Sequence, residues 1–218
     1  MISFSLWDIV RHLGGAALWT LVLSLSAFVL GGSAGLVLLY ARISRLPWLR
    51  RVARLYIELF QGTPLLMQLF MVFFGLSLAG SDIPAWLAAG LALTAYTSAY
   101  LAEIWRGCVE AVPQGQWEAA ASLAMSRFEQ LRHVVLPQAL QLAVAPTVGF
   151  SVQVVKGTAV TSIIGFAELT KIGSTLANAT FQPFLVFGLV ALGYFLLCYP
   201  LSLYARSLER KFHVARPH

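Results

Sequence analysis

The sequence predicts an all-α membrane protein with about five transmembrane helices, its N-terminus outside and its C-terminus in the cytoplasm. Of its 218 residues, 59% are hydrophobic and only 11% are charged, and the mean hydropathy is +0.77. A soluble domain carries about a quarter charged residues. The hydrophobic residues are also gathered into long runs that short polar segments separate, which is the pattern of successive membrane crossings.

Each predicted crossing is an apolar run long enough for a bilayer, which takes about 20 residues at about 1.5 Å per residue. The first, residues 13–41, contains no charge. The second, residues 55–79, contains Gly62, Thr63 and Pro64, and this sequence indicates either a simple kink or a bend where a transport path opens. The remaining crossings are predicted at residues 85–105, 138–164 and 183–204.

Two segments outside these runs are less clear from hydropathy. Residues 157–182 alternate small, polar and apolar side chains, and both a re-entrant segment and a short surface helix stay open for them. Residues 1–12 form a short, mildly amphipathic leader before the first crossing. It is too weakly basic, and the run after it too long, for a cleaved signal peptide.

The orientation follows from the lysine and arginine residues, because cytoplasmic loops are enriched in them. One side of the membrane receives twelve of these residues and the other receives only Arg11 and Lys171, while Lys156 lies inside the fourth crossing. The twelve are Arg42, Arg45, Arg50, Arg51, Arg54, Arg106, Arg127, Arg132, Arg206, Arg210, Lys211 and Arg216. The side that carries them, which includes residues 115–137, is therefore predicted to be cytoplasmic.

Residues 115–137, the cytoplasmic loop, are the longest polar interruption of the chain. Residues 117–121 predict a short helix with Glu118 in its first turn, where the helix dipole favours negative charge. Ser126 and Glu129 have the spacing of a capping box and predict the start of a second helix. Pro137 suits the first turn of the helix that follows, because that turn needs no N–H there. The loop is therefore predicted to contain two short helices separated by a break, followed by Pro137 at the start of the next membrane crossing.

The cytoplasmic loop resembles the EAA loop of the membrane subunits of bacterial ABC importers. The resemblance rests on Glu118, Ala119 and Ala120, followed at a fixed interval by Val134, Val135, Leu136 and Pro137. That family has a type I, MetI-like permease fold, and its loop is a coupling helix seated in a groove of an ATPase subunit. The resemblance implies that the ATPase-coupling residues are Glu118, Ala119, Ala120, Leu123, Ala124 and Met125. The family usually has glycine where this chain has Ala124.

Further segments resemble the polar amino acid permeases of the histidine, glutamine and arginine type. These segments are residues 58–70, 99–107, 111–116, 136–140, 156–160 and 168–169. The resemblance implies a permease subunit that forms half of the translocation pathway of an ATP-driven importer for polar, basic or related amino acids in the bacterial inner membrane. The candidate pathway residues are Glu58, Gly62, Thr63, Pro64, Glu103, Lys156 and Thr158.

The resemblance also implies partners, namely a dimer of cytoplasmic ATP-binding subunits, a second permease subunit, an extracytoplasmic solute-binding protein and membrane lipid. An unpaired lysine inside a membrane costs about 2.5 to 3.5 kcal/mol, so Lys156 predicts a partner group or a water-filled cavity. The family commonly has an acidic residue at the position of Gly157 and often asparagine at that of Phe150. We therefore expect this chain to be the less polar half, beside a non-identical permease, with a homodimer as the other possibility.

Some simpler interpretations stay open. Glu58 follows Arg54 by one helical turn and Glu103 precedes Arg106 by three residues. Both carboxylates can therefore form a local ion pair, which is the simpler alternative to contact with the solute. A channel or secondary transporter that works without an ATPase is the alternative function. A membrane scaffold with no transport path is a third.

Several function classes are not expected. The chain has no Gly-x-x-x-x-Gly-Lys-Ser/Thr phosphate loop, so ATP is expected on the partner ATPase and no cofactor on this chain. Its histidines and cysteines do not have metal-ligand spacing, and no nucleophile and base are placed as in an enzyme. The basic residues lie at the ends of apolar runs rather than on one solvated face, so nucleic acid is not expected.

Overall fold

The computed structural model describes residues 5–213, and these residues form helices and short turns without a β-strand. The all-α class is therefore confirmed. Arg216, one of the predicted cytoplasmic basic residues, lies outside the described residues. The α-helices are α1 (Leu6–Ile43), α2 (Pro47–Gly62), α3 (Leu65–Leu78), α4 (Ala85–Glu110), α5 (Gln114–Ser122), α6 (Arg127–Glu129), α7 (Leu136–Gly157), α8 (Leu169–Thr180) and α9 (Pro183–His213).

Helix α1 begins within the segment that was predicted to be a separate leader. The side chain of Ser5 accepts a hydrogen bond from the N–H of Asp8 at 3.2 Å, and the Asp8 carboxylate accepts one from the N–H of Ser5 at 3.0 Å. This capping box satisfies backbone donors at the helix start. The first helix is therefore 38 residues long, and residues 6–12 belong to it.

Helices α1 and α4 form the most extensive helix pair of the core. A Cβ atom at Gly31 would lie 2.6 Å from the Cβ of Thr97, and one at Gly35 would lie 3.1 Å from the carbonyl oxygen of Ser98. These glycines let the two backbones approach each other, as small residues do between membrane helices. The core continues along α4, where Leu93 is fully buried.

The predicted second crossing, residues 55–79, is not one helix. Helices α2 and α3 meet at an angle of 105°. Thr63 is extended (φ −116°, ψ 142°), as expected before a proline, and Pro64 cannot donate to the preceding turn. Among the described residues, four helical runs are long and apolar enough to cross a membrane, and a fifth exists if the bent pair counts as one crossing.

Pro137 lies in the first turn of α7, as predicted, but the chain is already helical before it. Helix α6 continues through a π-helical turn, Gln130–Val135, directly into α7. The N–H of Leu136 donates to the carbonyl of Leu131, five residues back. Such a widened turn relieves the clash and the lost hydrogen bond that a proline causes in a regular helix.

Between α7 and α9 the chain forms a 3₁₀ helix, Thr158–Ile164, and then α8. Gly165 ends the 3₁₀ helix with a φ of 91°, a conformation that favours glycine. Helix α8 has 12 residues and is too short to cross a bilayer. It buries one face, formed by Leu169, Gly173, Leu176 and Ala177, in the region where α1 and α9 pack against it. Residues 157–182 thus contain a packed short helix.

Candidate functional site

The first helix of the cytoplasmic loop, α5, ends in a Schellman turn. The N–H of Ala124 donates to the carbonyl of Ala121 at 2.9 Å, and the N–H of Met125 donates to that of Ala120 at 3.3 Å. Ala124 has a φ of 56°, in the left-handed region. A residue with a Cβ pays about 1–2 kcal/mol for this conformation. The turn therefore forms with alanine, although the conformation favours glycine.

The second part of the loop starts with the predicted capping box, which is confirmed. The carboxylate of Glu129 accepts hydrogen bonds from the N–H and the hydroxyl of Ser126, both at 2.7 Å. These bonds hold the pKa of the Glu129 carboxyl below its usual range. The buried side chain of Gln130 also donates to the carbonyl of Met125 at 2.8 Å. Gln130 was not identified from the sequence.

The six predicted coupling residues do not all lie on the loop surface. Glu118, Ala119 and Ala124 are exposed, as is Leu123, which keeps 77% of its surface accessible. Ala120, however, is only 2% exposed and Met125 is half-buried. Helix α5 packs against the π-helical turn, so its buried side faces the start of α7. The exposed residues are accessible from outside the chain, whereas Ala120 packs inside the loop.

A cavity of about 550 Å³ lies beside α5. It combines two carboxylates with a guanidinium group, and the guanidinium of Arg127 lies 5.7 Å from the ring centre of Trp117, within reach of a cation–π interaction. Gln114 donates to Glu118 at 2.8 Å on the same helix. The cavity is lined by Glu110, Val112, Gln114, Trp117, Glu118, Ala121, Arg127 and Gln130. Its polar and aromatic lining suits a protein surface better than lipid.

Three candidate pathway residues, Gly62, Thr63 and Pro64, form the bend between α2 and α3. The hydroxyl of Thr63 donates to the carbonyl of Leu59 at 2.7 Å. The side-chain amide of Gln68 donates to the carbonyls of Phe60 at 2.7 Å and of Thr63 at 3.0 Å. A sharp bend of 105° therefore replaces the predicted kink within one helix.

Lys156 and Thr158 lie at the end of α7 but differ in accessibility. Lys156 is exposed and makes no ion pair within 4 Å with the residues that the structure describes. Thr158 is fully buried, and its hydroxyl donates to the carbonyl of Val155 at 2.7 Å. Between them, a Cβ atom at Gly157 would lie 3.2 Å from a methyl carbon of Leu65. Of these two candidates, only Lys156 is accessible on the surface of the chain.

The two candidate glutamates also differ. Both carboxylate oxygens of Glu103 accept from the Nε of Arg106 at 2.9 Å, and Arg42 at the end of α1 lies 3.8 Å away. The predicted ion pair between Glu103 and Arg106 is thus confirmed. The predicted pair between Glu58 and Arg54 is wrong, since Glu58 is exposed and has no ion pair among residues 5–213.

Three aromatic rings between α4 and α7 were not identified as a group from sequence. The ring of Phe150 stacks on Tyr100 at 5.4 Å and on Tyr96 at 6.1 Å between centroids, and the two tyrosine rings are 4.5 Å apart. Phe150 therefore fills its position with an apolar ring. The tyrosines could not be paired with it from sequence because they lie about 50 residues away, on another helix.

Residues 27–214 match the family described as the inner membrane component of binding-protein-dependent transport systems. The match covers most of the chain. The chain belongs to this family. The predicted resemblance to the permease subunits of ABC importers is therefore confirmed.

Relatives of this inner membrane component support the same grouping. It is 33% identical to the histidine/lysine/arginine/ornithine permease HisM of Salmonella typhimurium, over 95% of this chain and 92% of HisM. It is 33% identical to the glutamine permease GlnP of Escherichia coli, over 96% of this chain and 97% of GlnP. The L-cystine permease TcyB of Bacillus subtilis is 31% identical, over 94% of this chain and 90% of TcyB.

Solved structures confirm the fold of this inner membrane component. A crystal structure of an amino acid ABC transporter with histidines has a TM-score of 0.90 and 32% identity, and the match covers 96% of this chain and all of that one. An inward-facing MetNI methionine transporter has a TM-score of 0.71 at 22% identity, over 94% of this chain and 96% of that one. The predicted type I, MetI-like fold is therefore confirmed.

Proposed function

We propose that this chain is the permease subunit of an ATP-driven importer of polar, basic or related amino acids in the bacterial inner membrane. The observation that supports this proposal best is the cytoplasmic loop, a short capped helix with an exposed outer surface and a buried inner one. The names of the relatives, which include permeases for histidine, glutamine and L-cystine, support amino acids as the solute class. An ATPase-independent channel or secondary transporter is not favoured by the family match.

In this proposal the exposed residues Glu118, Ala119 and Leu123 contact a groove in one of two cytoplasmic ATP-binding subunits. Those subunits bind and hydrolyse ATP, and this chain has no enzymatic activity of its own. When they close, α5 moves, and its buried side transmits the movement to the π-helical turn and α7. A short helix whose C-terminal end is closed by a Schellman turn is stiff enough to transmit such a displacement, and packed helices respond to it as a two-state change.

A second permease subunit forms the other half of the pathway, and we propose that it is not identical to this one. Lys156 is exposed without an ion pair in the described part of the chain, so a group on another subunit can meet it. Leucine side chains fill the space beside Gly157, and the ring stack occupies the position of Phe150. An extracytoplasmic solute-binding protein delivers the solute, whose polar groups bind mainly to the second permease.

Purification of the assembled transporter through a tag on this chain tests the subunit composition. We expect mass spectrometry to identify an ATP-binding subunit and two different permeases in equal amounts. A complex that contains only this permease would instead mean that it is a homodimer with a differently built site.

Transport is tested with the same complex in liposomes, with the binding protein outside and ATP inside. We expect uptake of a ¹⁴C-labelled mixture of the twenty amino acids to require ATP hydrolysis. Uptake that continues without ATP under a clamped ion gradient would favour the channel or secondary transporter. Unchanged uptake after Lys156→Leu would favour a scaffold role for this chain.

A further inference from the structure

The bend between α2 and α3, here called the elbow (residues 59–68), leaves backbone carbonyls that the helices cannot pair. Helix α2 ends at Gly62, Pro64 has no N–H, and α3 begins without a side-chain cap. In a membrane protein each unpaired carbonyl costs several kcal/mol because no water can reach it. The elbow therefore needs donors from side chains.

Two side chains supply these donors, and only one of them comes from beyond the bend. The hydroxyl of Thr63, which lies in the bend itself, donates to the carbonyl of Leu59 at 2.7 Å. The NH₂ group of Gln68, in α3, donates back to the carbonyls of Phe60 and Thr63, at 2.7 and 3.0 Å. Gln68 thus joins the end of α2 to the second turn of α3.

Gln68 is held in place by this NH₂ group rather than by its whole amide. The residue is only 6% exposed, and its oxygen Oε1 is buried without a hydrogen-bond partner among the described residues. An unpaired buried polar atom costs about 1–3 kcal/mol. The side chain occupies this position because its two N–H groups satisfy carbonyls that otherwise have no donor.

The angle of the elbow determines what the first residue of α3 contacts. A methyl carbon of Leu65 lies 3.2 Å from the position of a Cβ on Gly157, and a methyl carbon of Leu93 lies 3.4 Å from it. Helix α3 also packs against the 3₁₀ helix that follows Gly157. Leu65, at the start of α3, therefore lies against Gly157, which stands between the candidate pathway residues Lys156 and Thr158 in the sequence.

From this arrangement we infer that Gln68 is a positioning residue for transport. It sets the angle of the elbow and so holds Leu65 against Gly157 at the end of α7. This inference rests on the proposed transport function, but the geometry can be measured without transport. A loss of the Gln68 donors is expected to let α3 swing away from α7 while both helices stay folded.

The geometry is tested with spin labels on exposed residues of the two helices, at Val52 in α2 and Leu78 in α3. The labels are placed in a Cys108→Ser, Cys198→Ala background, in the purified complex in nanodiscs. For the parent we expect a narrow distribution of the distance between the two labels. For Gln68→Leu we expect a broader distribution whose mean is longer by more than about 5 Å. Gln68→Met keeps nearly the length of the side chain but has no hydrogen-bond donor, and it should behave like Gln68→Leu.

Gln61→Leu is the matched control, because Gln61 lies in α2 and its side chain makes no hydrogen bond among the described residues. It should keep the narrow distance. In liposomes the Gln68 variants should lose about tenfold in maximal uptake rate of the labelled amino-acid mixture, while the KM for the solute-binding protein changes less than about twofold. A purely structural role would lower the amount of complex but not the rate per complex.

The inference is overturned if Gln68→Leu keeps both the narrow distance and the parental rate per complex. If Gln68→Leu does not accumulate in membranes, Gln68→Met replaces it, since this side chain is flexible and also has no donor, and a parental distance with a parental rate then overturns the inference. A parent complex without ATP-driven uptake refutes the proposed function instead, and the label distances still decide whether Gln68 sets the elbow.

Discussion

Two of the breaks between helices, the elbow and the turn of the cytoplasmic loop (residues 120–126), are closed in different ways. At the loop turn, two backbone bonds of α5 and the Ser126 capping box satisfy most of the free groups locally. At the elbow, a side chain from α3 reaches back five and eight residues. The loop turn thus depends mainly on its own sequence, whereas the elbow depends on a residue beyond it.

This difference follows from the surroundings of the two breaks. The loop lies on the predicted cytoplasmic side, where water can bind any group that a turn leaves unpaired. The elbow lies within the predicted second crossing, where the membrane holds little water and each carbonyl needs a protein donor. A strained residue such as Ala124 is therefore tolerable in the loop, while the elbow needs a buried glutamine. Substitutions should accordingly affect coupling in the loop and helix geometry at the elbow.

The largest effect is expected from Ala120→Arg in the loop. Ala120 is 2% exposed, and a buried arginine without a partner costs more than about 3 kcal/mol. We expect α5 to lose its packing, ATP hydrolysis to proceed without uptake, and insertion into the membrane to remain normal. Hydrogen–deuterium exchange of residues 113–135 and the ratio of hydrolysis to uptake measure this.

Ala119→Arg is the matched control, because Ala119 is the preceding residue and is exposed. It should keep the exchange protection of the loop but weaken binding of the ATP-binding subunit. Normal coupled uptake for both variants would contradict a docking role of this loop. Loss of protection in Ala119→Arg would mean that the two sides of α5 do not have different roles.

The next effect is expected at the elbow, from Thr63→Val. This change keeps the shape of the side chain but removes the donor of the Leu59 carbonyl, which costs about 1–3 kcal/mol. Thermal unfolding of the detergent-solubilised complex measures it. Thr175→Val is the control, because the hydroxyl of Thr175 is exposed and donates to a carbonyl within α8. We expect its free energy of unfolding to change by less than about 0.5 kcal/mol. Equal effects would contradict the special need for donors at the elbow.

A smaller effect is expected from Ser126→Ala, which removes the cap of the second loop helix. Loss of an N-cap costs about 1 kcal/mol, so exchange of the amides in residues 126–130 should become about fivefold faster. Ser122→Ala is the control, because the Ser122 hydroxyl donates to a carbonyl within α5 rather than capping it. An unchanged exchange rate in Ser126→Ala would mean that Gln130 alone holds this part of the turn.

The same cap should weaken in acid. The pKa of Glu129 is lower in the folded loop than its usual value of 4.5, so its contribution to stability is present above pH 4.5. It is lost as the pH falls through the lower pKa of the folded state. We expect exchange in residues 126–130, corrected for its intrinsic pH dependence, to accelerate below about pH 4.5. Glu129→Gln should remove this dependence.

The features that were predicted correctly are those set by neighbouring residues. Ser126 and Glu129 predicted their capping box, and Pro64 predicted an interruption, because both signals act within one turn. The start of α1 was missed although Ser5 and Asp8 have a similar spacing. Its signal was present but was hidden by the weak hydropathy of residues 6–12.

The features that were missed depend on contacts across the fold. The size of the bend at Pro64 depends on Gln68 and on the packing of α3 against α4 and the 3₁₀ helix, and hydropathy carries no information on either. The buried side of α5 could not be chosen from a run of three alanines, since each of them suits a helix surface or a core. The role of Gln130 likewise depends on how the chain turns before it, and no local pattern indicates it.

The smallest effect is expected from Ala124→Gly, and it should be stabilising. Ala124 has a φ of 56° with its side chain exposed, so glycine removes strain and no buried contact. The gain is limited to about 0.5–1 kcal/mol, because glycine also makes the unfolded chain more flexible. Hydrogen exchange of the amides in residues 120–126 should slow by about two- to fivefold. Gly62→Ala at the elbow is the control, because φ is not positive at Gly62 and an alanine there meets no left-handed strain. If Ala124→Gly destabilises the loop turn, the stiffness of the alanine rather than the hydrogen bonds around it holds α5 in place.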